Sequence, residues 1–323
     1  MTATTLTALK AAQRSLLLKP LDAAVFLAPY GTAAPMGSFT DGSGNLQTLS
    51  SAFQSVGLID KKSGVAFSRG ITAAPIESYG ELQAVRNDIT SDITAIEFEP
   101  QQNATALNLN LTTSAAVASM QASGTNGEVF FAQPSAENIT YYSAIVIGKD
   151  GSDAAPIYVI KILPKVAVSK YGGEQWVPTG VLSQKLTMVA FKDDAAGFAV
   201  AHTYAGKGWQ QVLAQTGMPY TITSLTASIV GPTTLAKGNT SQSTQIVVKD
   251  QWQGVVSPSL LTYAPTSSTT LGTGATISPA GVVTPVTPAA GGTGSVTVTL
   301  NLPSYWPTAS ATTATTSGTI TVA

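Results

Sequence analysis

The sequence predicts an all-β protein with one or two short helices, organised as two domains. Three observations carry this. Charged residues make up 10% of the 323 residues, against roughly 25% in soluble domains. Ala, Thr, Ser, Gly and Val take their place, and small or β-branched residues favour strands. In Thr94–Glu99, Ile96 and Phe98 alternate with Glu97 and Glu99, the period-two pattern of a half-buried strand. Beyond Pro219, short β-branched runs recur between turn residues to the end of the chain. A hydrophobic fraction of 44% is ample for a core, and the length is that of two domains.

Taken in order, Met1–Pro20 has helical spacing at Leu6, Leu9, Ala12 and Leu16, with Lys10 and Arg14 off that face. Leu16–Leu18 and Ala23–Ala28 are apolar but Lys19, Pro20 and Asp22 interrupt them. The start therefore reads as mature protein, a short helix and then a strand at Ala23–Ala28, not a secretory signal. Pro29–Asn45 is rich in Gly, Pro, Ser and Thr and reads as a loop. Asp41 and Asn45 beside Gly42 and Gly44 faintly resemble a calcium loop, but the terminal bidentate Glu is missing and a plain turn explains them. Strands are expected at Ser55–Asp60 and Val65–Arg69, around a turn at Lys61–Gly64.

Ile76–Pro100 then reads as two extended segments meeting near Thr90 and Ser91, a hairpin with one apolar and one acidic face. Its acids are Glu77, Glu81, Asp88, Asp92, Glu97 and Glu99, against the single base Arg86. Asn103 is placed to cap a helix over Ala104–Leu111, with Ala104, Leu107 and Leu111 on one side. A soft linker, Thr112–Glu128, leads to strands at Val129–Gln133, Tyr141–Gly148 and Ile157–Lys170, the last two joined by a loop at Asp150–Asp153. Leu182–Lys192 and Gly197–Tyr204 read as strands around a hairpin tip at Asp193 and Asp194, and Trp209–Gln215 as a short helix ended by Gly217 and Pro219.

From Thr221 to Ala323 the only charged residues are Lys237, Lys249 and Asp250. Strands are expected at Ser224–Gly231, Ser243–Lys249, Leu260–Ala264, Val282–Pro285, Ser295–Leu300 and Gly318–Val322. That density matches an immunoglobulin-like sandwich, with the domain boundary near Pro219–Ser224.

The composition also narrows function. There is no cysteine, which removes disulfides, thiolate nucleophiles and Cys zinc sites. The one histidine, His202 in AVAHTY, reads as a strand residue and forbids a two-His metal site within the chain. A net charge of −1 does not suit a protein that grips nucleic acid. No stretch approaches the roughly 18 apolar residues of a membrane span, so no membrane partner is expected. Glu97 and Glu99 stand about 7 Å apart along one strand, but neighbours on one strand do not flank a sugar bond from both sides as a glycosidase requires. No catalytic residue, cofactor or metal is expected, and the chain reads as a non-enzyme. Trp252, Tyr305 and Trp306 are read as packing residues that would also suit stacking on sugars.

The second domain resembles bacterial immunoglobulin-like modules, through TASIVGPTTLAKGNTSQSTQIVVKDQWQGVV at Thr226–Val256 and SPAGVVTPV at Ser278–Val286. The first resembles the major tail tube protein of long, non-contractile-tailed bacteriophages (siphophages) across Ala23–Gly217. The resemblance lies in the order of elements: AAVFLAP and its loop, SVGLIDKKSGVAFSRG with Gly57 and Gly64 around an acidic turn, the hairpin ending ITSDITAIEFEP, then IKILPKVAVSKYGGEQWVPTGVLSQKLTMVAFKD at Ile160–Asp193.

The resemblance implies a tail-tube β-sandwich or barrel domain over residues 1–220 and an immunoglobulin-like decoration domain over residues 221–323. It implies homo-hexameric rings whose inner sheets close a barrel around a channel and stack into a tube in the virion, after assembly in the host bacterial cytoplasm. Pro29–Leu49 and the first 20 residues are the segments expected to order against the next ring. Implied partners are copies of this chain, the tape measure, tail terminator and distal tail proteins, viral DNA in transit, and host-surface glycans touched weakly by the outer module. A channel for sliding DNA should not neutralise phosphates, so part of the set Glu77, Glu81, Asp88, Asp92, Glu97 and Glu99 is expected to face the lumen. A capsid decoration protein or a bacterial surface adhesin is the alternative.

Overall fold

The computed structural model describes residues 5–10, 12–135, 139–174, 176–266, 275–286, 292–309 and 311–322. The fold is all-β, with several sheets and short helices. The chain forms two compact units, Lys19–Gly206 and Met1–Leu18 with Lys207–Ala323. The division thus falls at Gly206, ahead of the expected Pro219–Ser224. The physical reason is burial: Ala214, Tyr220 and Ile222 belong to the core of the second unit.

The first unit is built on strands β1 (Asp22–Pro29), β2 (Gln54–Ser55), β3 (Val65–Ile76), β4 (Arg86–Phe98), β5 (Tyr141–Asp150), β6 (Ile157–Tyr171), β7 (Leu186–Ala190) and β8 (Ala201–Ala205). They make one sheet in the order β2-β1-β5-β6-β7-β4-β3, with β8 also on β6. Both faces bury apolar residues, as the alternation dictates. On one face Val25, Val146, Met188, Ile96 and Phe98 meet Leu107 and Leu111 of the helix Ala106–Thr113. On the other, Ile145, Ile160 and Ile162 meet Phe39, Leu49 and Phe53 from the loop before β3.

The long apolar β6 carries a proline in mid-sheet, where its missing N–H interrupts the ladder. A register shift absorbs it: Ala144 pairs with Leu163 and Tyr142 with Val166. The hydroxyl of Ser143, the residue left between, donates to the Pro164 carbonyl at 2.9 Å.

Several expectations are corrected. Asp193 and Asp194 are not a hairpin tip. β7 and β8 both run antiparallel to β6, in line along the edge opposite β5, so Phe191–Val200 is an excursion in one interrupted strand. Asp193 holds it, its carboxylate accepting from the Ala196 N–H at 2.7 Å and its carbonyl from the Gly197 N–H at 2.8 Å. The helix begins two residues late because Thr105 caps it, accepting from the Asn108 N–H at 3.3 Å, while Asn103 donates instead to the Leu182 carbonyl. The strand expected over Ser55–Asp60 shrinks to β2 plus a bridge from Ile59 to Pro100. That over Val129–Gln133 shrinks to a bridge from Val129 to Ala122, since the exposed Phe130 has no sheet face to bury against.

The second unit has strands β9 (Thr226–Val230), β10 (Thr234–Leu235), β11 (Thr244–Lys249), β12 (Leu261–Pro265), β13 (Ala275–Ile277), β14 (Val282–Pro285), β15 (Gly292–Gly294), β16 (Val296–Leu300), β17 (Thr313–Thr315) and β18 (Ile320–Val322). The sheets β13-β14-β11-β9, β12-β16-β17 and β10-β18-β15 share one core, with Ile246, Val283, Val298 and Ile320 at its centre. The buried Asp250 ends β11. Its carboxylate accepts from the Tyr220 hydroxyl at 2.9 Å and from the N–H groups of Trp252 and Gly254 at 2.9 and 2.8 Å. Gly254 is obligatory there, because a Cβ would stand 2.9 Å from the Gln211 carbonyl. Burial, reinforced by Asp250, raises the Tyr220 pKa. Tyr220→Phe removes one of three donors from a buried carboxylate, and is expected to lower this unit's stability by about 1–3 kcal/mol. Urea unfolding followed by tryptophan fluorescence checks it, and an unchanged midpoint would contradict it.

Candidate functional site

The β3–β4 hairpin extends beyond the packed core. β3 ends the sheet, and only its first turns of alternation, Val65 and Phe67, join the core. The register keeps Arg69 opposite Thr94 and carries on to Ile76 opposite Arg86, so the pair continues outward as an arm with its turn at Glu77–Val85. The two segments therefore do not meet at Thr90 and Ser91. β4 runs straight through them, and the bulge there pairs Ser91 with Thr72 and Ile89 with Ala73, leaving Thr90 over.

Along the arm Ile71, Ile76, Ile89 and Ile93 are exposed, and at its tip Tyr79 and Leu82 are fully so, at 110% and 104%. A two-stranded ribbon is marginal in water by itself. A bare edge is also a template for another strand unless charge guards it. Among the twelve residues of β3, only Arg69 is charged.

The six acids do not share a face. Asp92 lies opposite Ile71, on the face that buries Ile96 and Phe98, and takes a two-pronged hydrogen bond from Arg69 at 2.8 and 2.5 Å. Glu97 points the other way, paired with Lys185 and accepting from Thr187. The bulge shifts the alternation, so Asp88, paired with Arg86 at 2.8 Å, joins the Glu97 face. Glu99 accepts from the Ser183 hydroxyl. Glu77 and Glu81 stand in the tip turn, and theirs are the only carboxylates of the six without a partner among the described residues. What looked like an acidic face is thus neutralised along the strands and acidic at the tip.

At the arm's base a cleft of about 370 Å³ is lined by Phe67, Arg69, Asp92, Lys161, Val200 and His202. The Lys161 ammonium lies 3.7 Å from the Phe67 ring centroid, and burial lowers its pKa. His202 sits opposite Lys161 in the β6–β8 register, a strand residue as expected. Burial, then the Lys161 charge, lowers its pKa. Among the described residues no group of three acids or histidines is placed to hold a metal ion. Asp41 makes the plain turn expected, accepting from the Ser43 and Asn45 N–H groups. Asp153 pairs with Lys149, and Asp150 accepts from the Lys19 N–H.

In the first unit the pKa values of Asp60, Asp92, Glu97 and Asp193 are lowered. The Ser63 N–H does this for Asp60, the Arg69 guanidinium for Asp92, the Lys185 ammonium for Glu97 and the Ala196 N–H for Asp193. A folded-state pKa below the unfolded value gives stability that is present above the ordinary carboxylate range and lost as pH falls through the folded value. The second unit has only one side-chain carboxylate, Asp250. Acidification below about pH 4 is expected to lower the melting transition of the first unit more than that of the second. Calorimetry against pH checks this, and transitions that move together would contradict it.

In the second unit a groove of about 380 Å³ is walled by Tyr305, Trp306, Ser257, Ser259 and Leu260. Tyr305 is exposed, whereas Trp252 and Trp306 pack on Tyr220 at ring-centroid separations of 5.8 and 5.5 Å. Of the three aromatic residues suited to stacking, only Tyr305 offers an open ring.

Fold and site together define an all-β protein whose sheet ends in an unpaired arm. No family model matches the chain, and no curated protein matches it. Among solved structures it is similar, with 12% identity and a TM-score of 0.32, to a chain from the cryo-EM structure of the anti-feeding prophage (AFP) baseplate, 6-fold symmetrised; the alignment spans 56% of this chain and 91% of that chain. Among the described residues no helix is long and apolar enough to cross a membrane.

Proposed function

We propose that this chain is a structural virion protein, the tail tube subunit of a long-tailed, non-contractile phage. In this reading copies close into hexameric rings, the rings stack around a channel for viral DNA, and the second unit is displayed outside. The observation that carries the reading is the arm: an open edge strand with exposed isoleucines and an apolar tip, for which another copy is the natural cover. Ring closure removes such edges, and stacking is the head-to-tail contact that makes filaments. The tape measure, terminator and distal tail proteins would meet the tube at its ends, and the Tyr305 groove is where an outer glycan would rest. A capsid decoration protein or an adhesin would share the composition but gives the arm no occupant.

The lumen role passes to the face with Asp88, Glu97 and Glu99. Arg86 and Lys185 balance part of its charge, so it would repel phosphate weakly rather than strongly. Electron microscopy of the purified protein tests the whole reading. Rings or tubes with a central hole are expected, with Asp88 and Glu97 turned to the hole. A monomer at every concentration would refute it.

A further inference from the structure

We propose that the arm tip of one copy, Glu77–Val85, seats in the cleft at the arm base of a second copy. This rests on the ring-forming reading above and names the surfaces that meet. The first argument is reach. From Arg69 in the cleft to Glu77 at the tip, β3 extends by about 25 Å at roughly 3.3 Å per residue. The arm is paired with β4 along that span, apart from the bulge at Thr90, so a copy's own tip stands well away from its own cleft.

The second argument is charge. The tip carries Glu77 and Glu81 and no base. The cleft gathers Arg69, Lys161 and His202 against the one acid Asp92, and that acid is already taken by Arg69. Lys161 has a phenyl ring for company and no carboxylate within ion-pair distance among the described residues. A glutamate from the tip supplies the missing partner.

The third argument is apolar fit. Tyr79 and Leu82, fully exposed in one copy, meet Phe67 and Val200 on the cleft walls. Tip and cleft are different surfaces of one chain, so every copy gives one contact and receives one. That heterologous arrangement closes into a ring when the rotation permits.

The chain has no cysteine, so introduced ones report cleanly. Thr94 also lines the cleft; Leu82→Cys and Thr94→Cys chains, purified separately, mixed and mildly oxidised, are expected to give a covalent dimer joined between positions 82 and 94. A predominant 82-to-82 dimer in the Leu82→Cys chain alone would mean tip-to-tip docking and overturn the proposal. As a second measurement, Glu81→Lys is expected to raise the concentration needed for assembly at least tenfold, and adding Lys161→Glu to recover most of it. Absence of that recovery, with Lys161→Glu alone still folded, would overturn it. Rings in the microscope without the 82–94 link would sink this contact and leave the tube reading standing; a chain monomeric throughout would sink both.

Discussion

If the tube reading proposed above holds, excising Gly70–Ile93 and joining Arg69 to Thr94 through Asn-Gly is expected to yield a folded monomer unable to form the proposed rings. The excised stretch contributes no buried residue, so little core energy leaves with it. Arg69 and Thr94 already face each other in the register, and Asn-Gly is a two-residue hairpin connection. Light scattering and electron microscopy read the assembly, and near-ultraviolet circular dichroism reads the fold. Rings that persist without the arm would remove the observation on which the functional reading stands.

The second large effect is thermodynamic. Phe98 is fully buried, packed with Ile96, Leu186 and Leu111 between the sheet and its helix. Phe98→Ala is expected to lower the stability of the first unit by about 3–5 kcal/mol, a large part of the roughly 5–15 kcal/mol that holds a domain. The second unit, with a core of its own, should unfold as before, so denaturant melting should separate into two phases. A loss below about 1 kcal/mol would mean that Phe98 is not the keystone its burial makes it.

Whether a segment was legible in the sequence depended on whether it buries one face. β5, β6 and β14 were readable nearly to the residue because Ile145, Ile160 and Val283 alternate or run apolar into the core. The outer half of β3, GITAAPI, buries neither face, so nothing in its pattern marks a strand and the arm's length was hidden. The acids were visible as a cluster, but not their directions, since a single unpaired residue at Thr90 exchanges the faces beyond it. β13, β15 and β17 were missed because three-residue strands built mostly from small residues and threonine look like the loops around them. His202 was correctly read as a strand residue, but its pairing with Lys161 across β6 and β8 joins positions far apart in the chain, which local patterning does not report.

Pro164 has a consequence before the sheet exists. While the chain emerges from the ribosome, IYVIKILPKVAV is a run prone to stack with its own kind into amyloid-like fibres, being long, rich in β-branched residues and uncharged apart from two lysines. The imino acid between Lys161 and Lys165 breaks that run where a cross-β stack would need an unbroken ladder. The chain thus carries a guard against precipitation inside one of its longest apolar strands.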